Sequence, residues 1–242
     1  MPAALVLRGG KGRLDLPVRF GVLERPGQPP VLIDSGWPEH RPEDSRALRL
    51  YRAALRARVD AAKSPAAVLK GRAPAAVLLS HFHADHVGAL HYFPDVPVHG
   101  PLDALARARH HRWRALRHGV FGERLPQSVT DLTGDMPLPF RLGRGRDVCG
   151  DGAVLSVPLP GHADGHTGFL FPGFDPPVLY AGDAQWVWPA IRDNRPPRGP
   201  ARAVYANSAA AMDSLLRVRA FAAAGGRVVL CHDPAPVPVF TP

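Results

Sequence analysis

The sequence predicts an α/β fold in which short apolar strands alternate with amphipathic helices. Two observations carry this prediction. Short apolar runs recur along the chain, and many of them end in a loop rich in Gly, His or Asp. Between the runs, segments such as 43–59 and 101–120 space their apolar residues three and four positions apart, as a helix with one buried face does. With 242 residues the chain can bury a large core, so we expect one domain over residues 1–242.

The remaining elements follow the same signals. We predict strands at 16–23, 31–33, 76–79, 96–100, twice within 147–159, and at 169–171, 177–181 and 227–230. The helix over 101–120 would bury the side formed by Leu102, Leu105, Trp113, Leu116 and Val120. A last helix would begin with a cap at Asn207 or Ser208 and stop near Gly225.

Composition limits the partners. The formal charge of +9 comes mostly from arginines spread along the chain, so we expect no nucleic-acid partner. No apolar run reaches the length of a membrane span, and the run at residues 3–7 is too short for a signal-peptide core. Cys149 and Cys231 fit a reducing compartment better than a disulfide framework, which favours the cytoplasm. The sequence is compatible with a homodimer but does not determine the oligomeric state.

Four metal-competent side chains stand within six positions: His81, His83, Asp85 and His86. They follow the predicted strand at 76–79, which would hold their loop in place. Three later strand ends carry His162, Asp183 and His232. A single histidine after a strand is more often structural, but repetition at four strand ends indicates a site assembled from distant parts of the sequence.

This set of side chains can satisfy two divalent ions. His81, His83 and His162 would bind one ion, Asp85, His86 and His232 the other, and Asp183 would bridge them. Zinc is the first choice for such ligands, and iron, manganese or cobalt suit the same set. Paired ions would lower the pKa of a shared water from about 15.7 towards roughly 7, which generates hydroxide as the nucleophile, and Asp85 could pass a proton to the leaving group.

Several neighbours have a supporting or structural interpretation. Asp34, at the end of the strand at 31–33, and Asp233 could accept hydrogen bonds from metal-bound imidazoles, although Asp34 taken alone resembles a turn residue. His166 is predicted to fix the glycine-rich loop at least as readily as to bind metal. Cys231 precedes His232, and alternation along a strand would turn its side chain to the opposite face, as a small buried residue. Surface positions are expected for His110, His111 and His118.

The ordered motifs resemble those of the metallo-β-lactamase superfamily. The resemblance rests on His81-Phe82-His83-Ala84-Asp85-His86, Pro160-Gly161-His162, Gly182-Asp183, Cys231-His232 and Ile33-Asp34-Ser35-Gly36. It implies a four-layer αββα sandwich with a dinuclear metal site on one edge of its two sheets, and hydrolysis as the usual reaction. His86 argues against the true β-lactamases, and His83 favours hydrolysis over the redox chemistry of diiron members.

Within the superfamily the chain is most similar to the N-acyl-homoserine lactonases, whose activity is quorum quenching. That resemblance implies opening of a lactone ring, with a small-molecule lactone or ester as the partner. Those enzymes place a tyrosine three residues after the bridging aspartate, where this chain has Trp186. Trp186 cannot act as a phenol acid and is predicted to form a wall of the substrate pocket, and Tyr205 is a candidate to take the place of that tyrosine.

Our leading hypothesis is therefore a metal-dependent hydrolase of lactones or related carboxylic esters. Three alternatives remain open at this point: a thioester hydrolase similar to glyoxalase II, a phosphodiesterase, and a metal-binding interaction module without catalysis. Catalysis is favoured over the module because metal sites with open coordination positions usually serve a reaction.

Overall fold

The strands lie in two mixed sheets in the computed structural model, which describes residues 1–197, 202 and 205–240. One sheet belongs to a compact unit of residues 18–131, called the 18–131 unit below. The other belongs to a unit of residues 132–242 together with residues 1–17, called the 132–242 unit. The predicted α/β class is confirmed, while the prediction of one domain over residues 1–242 stays a prediction.

The 18–131 unit has a five-stranded sheet in the order β1-β2-β3-β4-β5. The first pair of strands is antiparallel and the other pairs are parallel. Its strands are β1 Gly21–Leu23, β2 Val31–Ile33, β3 Ala76–Leu78, β4 Val98–Gly100 and β5 Thr130–Asp131. Its helices are α1 Arg46–Leu55, α2 Pro65–Leu69, α3 Ala84–Val87, α4 Leu102–His110 and α5 Arg112–Arg117. Leu32, Val77 and Leu79 form part of its core, with Phe82 packed beside them.

The 132–242 unit has a six-stranded sheet in the order β11-β10-β9-β8-β7-β6. Only the pair β10 and β11 is parallel. Its strands are β6 Met136–Pro137, β7 Arg144–Asp147, β8 Leu155–Pro158, β9 Thr167–Phe171, β10 Val178–Gly182 and β11 Arg227–Leu230. Its helices are α6 Trp188–Arg192 and α7 Ser208–Ala223. Leu170 and Leu179 on the sheet and Leu215 and Phe221 on α7 are fully buried in one core cluster.

Two predicted helices differ from those observed. The segment predicted as a helix over 101–120 is divided at His111, whose φ of −110° and ψ of 58° are not helical. Trp113, predicted on the apolar side, is 82% exposed, so the second half of the segment has no continuous buried face. The helix predicted over 43–59 covers only Arg46–Leu55, because Ser45 caps its start and Arg56 takes a left-handed φ of 52° at its end.

The last helix and strand follow the prediction closely. The Asn207 side chain accepts hydrogen bonds from the backbone N–H groups of Ala209 and Ala210, which caps α7. Gly225 has a φ of 93° just after the helix and lets the chain turn into β11.

Among the described residues, none of the helices combines the length and apolar character that crossing a bilayer requires.

Candidate metal centre

The predicted ligands of the 18–131 unit lie on one loop, residues 80–87, which we call the ligand loop. It leaves β3 and turns into the short helix α3. The imidazole of His81 lies 4.4 Å from that of His83 and 4.0 Å from that of His86, between ring centroids. An Asp85 Oδ2 atom lies 3.9 Å from His86 Nε2. His81 and His86 are fully buried, while the Asp85 side chain keeps 13% of its surface exposed.

Asp34 organises this loop. Its Oδ1 accepts the backbone N–H of Ser80 at 2.8 Å, and its Oδ2 accepts the Ser80 hydroxyl at 2.8 Å. The same Oδ2 lies 2.7 Å from His86 Nδ1. Asp34 is fully buried, and its φ of 54° is a left-handed conformation that aspartate tolerates better than most residues. The prediction of an accepting role for Asp34 therefore agrees with the hydrogen bonds of the structure.

These bonds determine which nitrogen of His81 and of His86 carries the proton and which one could bind a metal. A carboxylate only accepts, so His86 Nδ1 carries the proton and its Nε2 keeps the lone pair. The Ser80 hydroxyl uses its proton on Asp34, so the His81 Nδ1 at 3.0 Å donates to Ser80 Oγ. The His81 Nε2 is likewise left as an electron-pair donor. Ser80 was not singled out in the sequence, because a serine before a histidine carries no distinctive signal.

The predicted ligands of the 132–242 unit meet at Asp183, at the end of β10. The Nε2 atoms of His162 and His232 lie 3.2 Å and 3.1 Å from the same oxygen, Asp183 Oδ2. The Trp186 indole N–H donates to this oxygen at 3.0 Å. His232 Nδ1 lies 2.7 Å from the Pro17 carbonyl oxygen, to which it donates, so His232 also keeps Nε2 for a metal. We call His162, Asp183, Trp186 and His232 the Asp183 cluster.

The loop that carries His162 is fixed by contacts with α7. Gly161 has a φ of 130°, and a Cβ built on it would lie 2.1 Å from the backbone nitrogen of Ala211. The Gly161 carbonyl accepts from the Asn207 N–H at 2.9 Å, and the Ser214 hydroxyl donates to Pro160. Only glycine allows the loop to approach the helix this closely. His162 is thereby buried, with 2% of its surface exposed.

His166 holds the backbone at this site. Its Nδ1 donates to the Leu159 carbonyl at 2.9 Å, and its Nε2 accepts the backbone N–H of Asp183 at 3.0 Å. Both ring nitrogens are therefore occupied by backbone groups, which favours the predicted structural role over a ligand role. Asp233 accepts from the backbone N–H groups of Trp188 and Ala235, so it orders the chain around α6.

Trp186 and Tyr205 both lie beside the cluster. The Trp186 ring makes edge contacts with His162 at 6.0 Å and with His232 at 5.5 Å, in addition to its bond to Asp183. Tyr205 lies edge-on to His162 at 6.5 Å and donates its hydroxyl to Gln185 Oε1 at 2.9 Å. Burial raises the pKa of Tyr205 to about 12, which keeps the phenol protonated as a hydrogen-bond donor at neutral pH. Gln185 has no sequence signal and was missed.

Cys231 lies closer to the ligands than expected. The alternation argument fails because β11 ends at Leu230, so Cys231 and His232 are not neighbours on a regular strand. The Cys231 sulfur, a carboxylate oxygen of Asp183 and a ring nitrogen of His232 lie within 4.8 Å of one another. The residue is fully buried, as predicted.

The residues of each unit fit a divalent metal. The ligand loop and the Asp183 cluster each present at least two imidazole Nε2 atoms together with a carboxylate, the donor set that zinc, iron, manganese and cobalt accept.

The three exposed or half-exposed histidines at 110, 111 and 118 lie on or beside α4 and α5, in agreement with the prediction of surface positions.

Comparisons with known proteins agree with this chemistry. A family model described as the metallo-beta-lactamase superfamily matches residues 15–224. A hydroxyacylglutathione hydrolase of Yersinia pestis is 27% identical over 114 residues, which cover 46% of this chain and 33% of that protein. The matched segment thus spans only about a third of the length of this curated relative.

Two solved structures resemble the whole chain. A quorum-quenching N-acyl homoserine lactone lactonase has a TM-score of 0.71 at 22% identity, covering 97% of this chain and 88% of that one. AiiA of B. thuringiensis, with N-decanoyl-L-homoserine bound at its active site, has a TM-score of 0.73 at 21% identity and covers 100% and 94%. At this level of identity the similarity shows the fold.

Proposed function

The chain belongs to the metallo-β-lactamase superfamily, whose members are metal-dependent hydrolases, and from this premise we propose that it hydrolyses lactones or related carboxylic esters. The observation that carries the proposal is the orientation of the imidazoles. Asp34 and the Pro17 carbonyl each take an Nδ1 proton, which leaves Nε2 of His86 and His232 to donate electrons. In both residues Nε2 is then directed towards another of the proposed ligands, Asp85 or Asp183, whereas the Nε2 of the structural His166 accepts a backbone N–H.

We propose that residues of the ligand loop and of the Asp183 cluster bind one pair of divalent ions, most suitably zinc. The ligands would be His81, His83, Asp85, His86, His162, Asp183 and His232. When bound, the ions supply an activated water near neutral pH and polarise the substrate carbonyl. Asp183 would be a ligand of both ions, since its Oδ2 lies 3.2 Å from the Nε2 of His162, proposed for one ion, and 3.1 Å from the Nε2 of His232, proposed for the other.

The protein side chains would complete the reaction around the carbonyl. Asp85 keeps part of its carboxyl exposed and would take the proton that the attacking water loses and pass it to the leaving oxygen as the acyl bond breaks. The Tyr205 hydroxyl would turn from Gln185 Oε1 to the substrate and donate a hydrogen bond there, because its high pKa keeps it protonated. Trp186 would hold Asp183 in place through its N–H rather than serve only as an apolar wall.

A direct test combines metal analysis with a substrate panel. We expect purified, metal-loaded protein to contain about two ions per chain and to open lactones or esters, as a dinuclear site requires. His232→Ala should lower both metal content and turnover, while His110→Ala, which changes an exposed histidine, should alter neither. Full metal occupancy with no lactone or ester opened would overturn the proposal.

Thioester hydrolysis is the second candidate. The match to a hydroxyacylglutathione hydrolase favours it, since a thioester presents the same carbonyl to the same groups. If acyl-glutathione is cleaved with a higher kcat/KM than every lactone and oxygen ester of the panel, this second function replaces the first.

A further inference from the structure

The 132–242 unit contains a polar cavity beside the Asp183 cluster. Its volume is about 240 Å³. None of the described residues that line it is acidic. Its polar lining consists of Arg8, Gln185, Asn194, Arg202, Tyr205 and Ser208. Two formal positive charges therefore face a cavity without a lining carboxylate.

Gln185 has an unused donor in this cavity. Its side chain is 1% exposed, and its Oε1 accepts the Tyr205 hydroxyl at 2.9 Å. Its Nε2 is buried and has no hydrogen-bond partner among the described residues. A buried amide donor left unpaired is unfavourable, so an acceptor atom that reaches Gln185 Nε2 would stabilise the bound state.

The two arginines are not neutralised within the part of the chain that the structure describes. Arg8 donates from Nη2 to the Asn194 carbonyl at 3.2 Å, a neutral group, and no ion pair joins Arg8 to a described carboxylate. Arg202 is exposed, also without such a pair, and it lines the cavity together with Tyr205. Both guanidinium groups can therefore bind an anion bidentately.

The cavity shares two residues with the surroundings of the metal ligands. Gln185 follows Asp183 by two positions, and Tyr205 contacts both Gln185 and the ring of His162. A group bound in the cavity would contact residues that adjoin His162 and Asp183, which is where the acyl chain of a substrate held by these ligands would extend. A purely apolar acyl chain would leave the Gln185 amide and both arginines without a partner.

We propose that this cavity binds a carboxylate group of the substrate, so that the enzyme prefers esters or thioesters that carry a carboxylate on the acyl chain. Arg8 and Arg202 would supply the positive charge and the Gln185 amide a hydrogen bond. This inference rests on the hydrolase function proposed above and adds the substrate class. The apolar lining residues Pro196, Pro197 and Met212 would contact the methylene groups of a short chain.

The test compares two esters that differ in one charge. The probes are the mono-4-nitrophenyl ester of glutaric acid and the same ester with its free carboxylate capped as a methyl ester. With metal-loaded protein we expect the charged ester to have a kcat/KM at least about tenfold higher, as expected for one charge-assisted pair. Arg202→Gln should bring the ratio close to one, mainly through KM. Arg219→Gln, which removes an exposed arginine of α7 outside the cavity, should leave the ratio unchanged.

Outcomes for the two proposals are separate. Hydrolysis of both esters at equal rates, or an unchanged ratio in Arg202→Gln, would overturn the carboxylate assignment while the hydrolase function stands. If neither ester is cleaved, calorimetric titration with glutarate still tests the cavity: binding that is lost in Arg202→Gln supports it. Absence of glutarate binding, or tighter binding of inorganic phosphate, would overturn it.

Discussion

The ligand loop and the Asp183 cluster arrange similar side chains in different ways. In the ligand loop, four ligands are close in sequence, and one buried carboxylate, Asp34, holds the loop through Ser80 and His86. In the Asp183 cluster, the imidazoles of His162 and His232 come from distant parts of the sequence and converge on one oxygen of Asp183, and the Pro17 carbonyl orients His232. A local ligand motif therefore depends on one organising residue, whereas a distributed one depends on the packing of its whole unit.

The largest effect should come from the shared oxygen of the cluster. Asp183→Ala removes the atom on which His162 and His232 converge, so we expect the metal content to fall and turnover to drop roughly a thousandfold, since metal polarisation contributes several kcal/mol. Mass spectrometry of bound metal and steady-state kinetics measure this. Asp213→Ala, an exposed carboxylate on α7, is the control. Unchanged metal content in Asp183→Ala would contradict the role given to Asp183.

The dependence of the cluster on packing can be tested at Gly161. Gly161→Ala adds a Cβ that would lie 2.1 Å from the Ala211 nitrogen, at a φ of 130°. We expect the free energy of unfolding to fall by about 3 kcal/mol or more, from backbone strain and overpacking together. Urea denaturation measures the change.

Gly150 separates the two causes. It has a positive φ of 77°, but a Cβ there would meet nothing within 4 Å, so Gly150→Ala should show backbone strain alone, roughly 1–2 kcal/mol. Equal losses of unfolding free energy in Gly161→Ala and Gly150→Ala would show that the close approach of Gly161 to α7 adds nothing to the cost. The Asp183 cluster would then not depend on packing more than the ligand loop does.

The ligand loop should respond to its organising carboxylate. Asp34→Asn keeps the size and the left-handed backbone, but one of its two acceptor oxygens becomes a donor. If the amide nitrogen faces His86, the imidazole must accept at Nδ1 and its proton moves to Nε2, where it blocks metal binding. We expect metal affinity to fall about 10–100-fold, as for other partners of metal-bound histidines.

Competition with a chromophoric chelator measures this affinity. Asp95→Asn, which changes an exposed carboxylate in the same unit, is the matched control. An affinity for metal that is equal in Asp34→Asn and in the control would show that the loop does not depend on Asp34.

The smallest effect is expected at Tyr205. Tyr205→Phe removes one neutral hydrogen-bond donor, worth about 1 kcal/mol, so kcat/KM should fall about fivefold. Because burial raises the pKa of Tyr205 to about 12, the loss should stay constant from neutral pH to about pH 10. A pH–rate profile of both proteins measures it. A loss that disappears below about pH 10 would mean that the phenol ionises in that range.

Stability gives a second measure of the same pKa. The folded-state pKa of Tyr205 lies above the value of about 10 in an unfolded chain, so its protonated form favours the folded state. That contribution is fully present below about pH 10 and is lost as the pH rises towards about 12. Tyr205→Phe should abolish this part of the alkaline loss of stability.

Most strands and the helix α7 were predictable from local patterns, whereas the extents of the helices predicted at 43–59 and 101–120 were not. The residues from Val31 to Ile33 are apolar and end at a turn, so their sequence alone marks the strand. The segment 101–120 has helical spacing throughout, but its spacing cannot reveal that nothing packs over Trp113. The alternation argument for Cys231 assumed that the strand continues through His232. The strand β11 ends at Leu230, and this end depends on the pairing with β10, which the sequence does not show.

By itself, the sequence determined the chemical types of the ligands and their places at strand ends, because residue identity and strand periodicity are local properties. Only the tertiary structure decided that Asp34 contacts His86 through Nδ1, that Gln185 pairs with Tyr205, and that two arginines line one cavity. These features depend on hydrogen-bonding distances, such as the 2.7 Å between His232 Nδ1 and the Pro17 carbonyl oxygen, that join residues far apart in the sequence. Such contacts arise when the chain packs, and no pattern along the sequence records them.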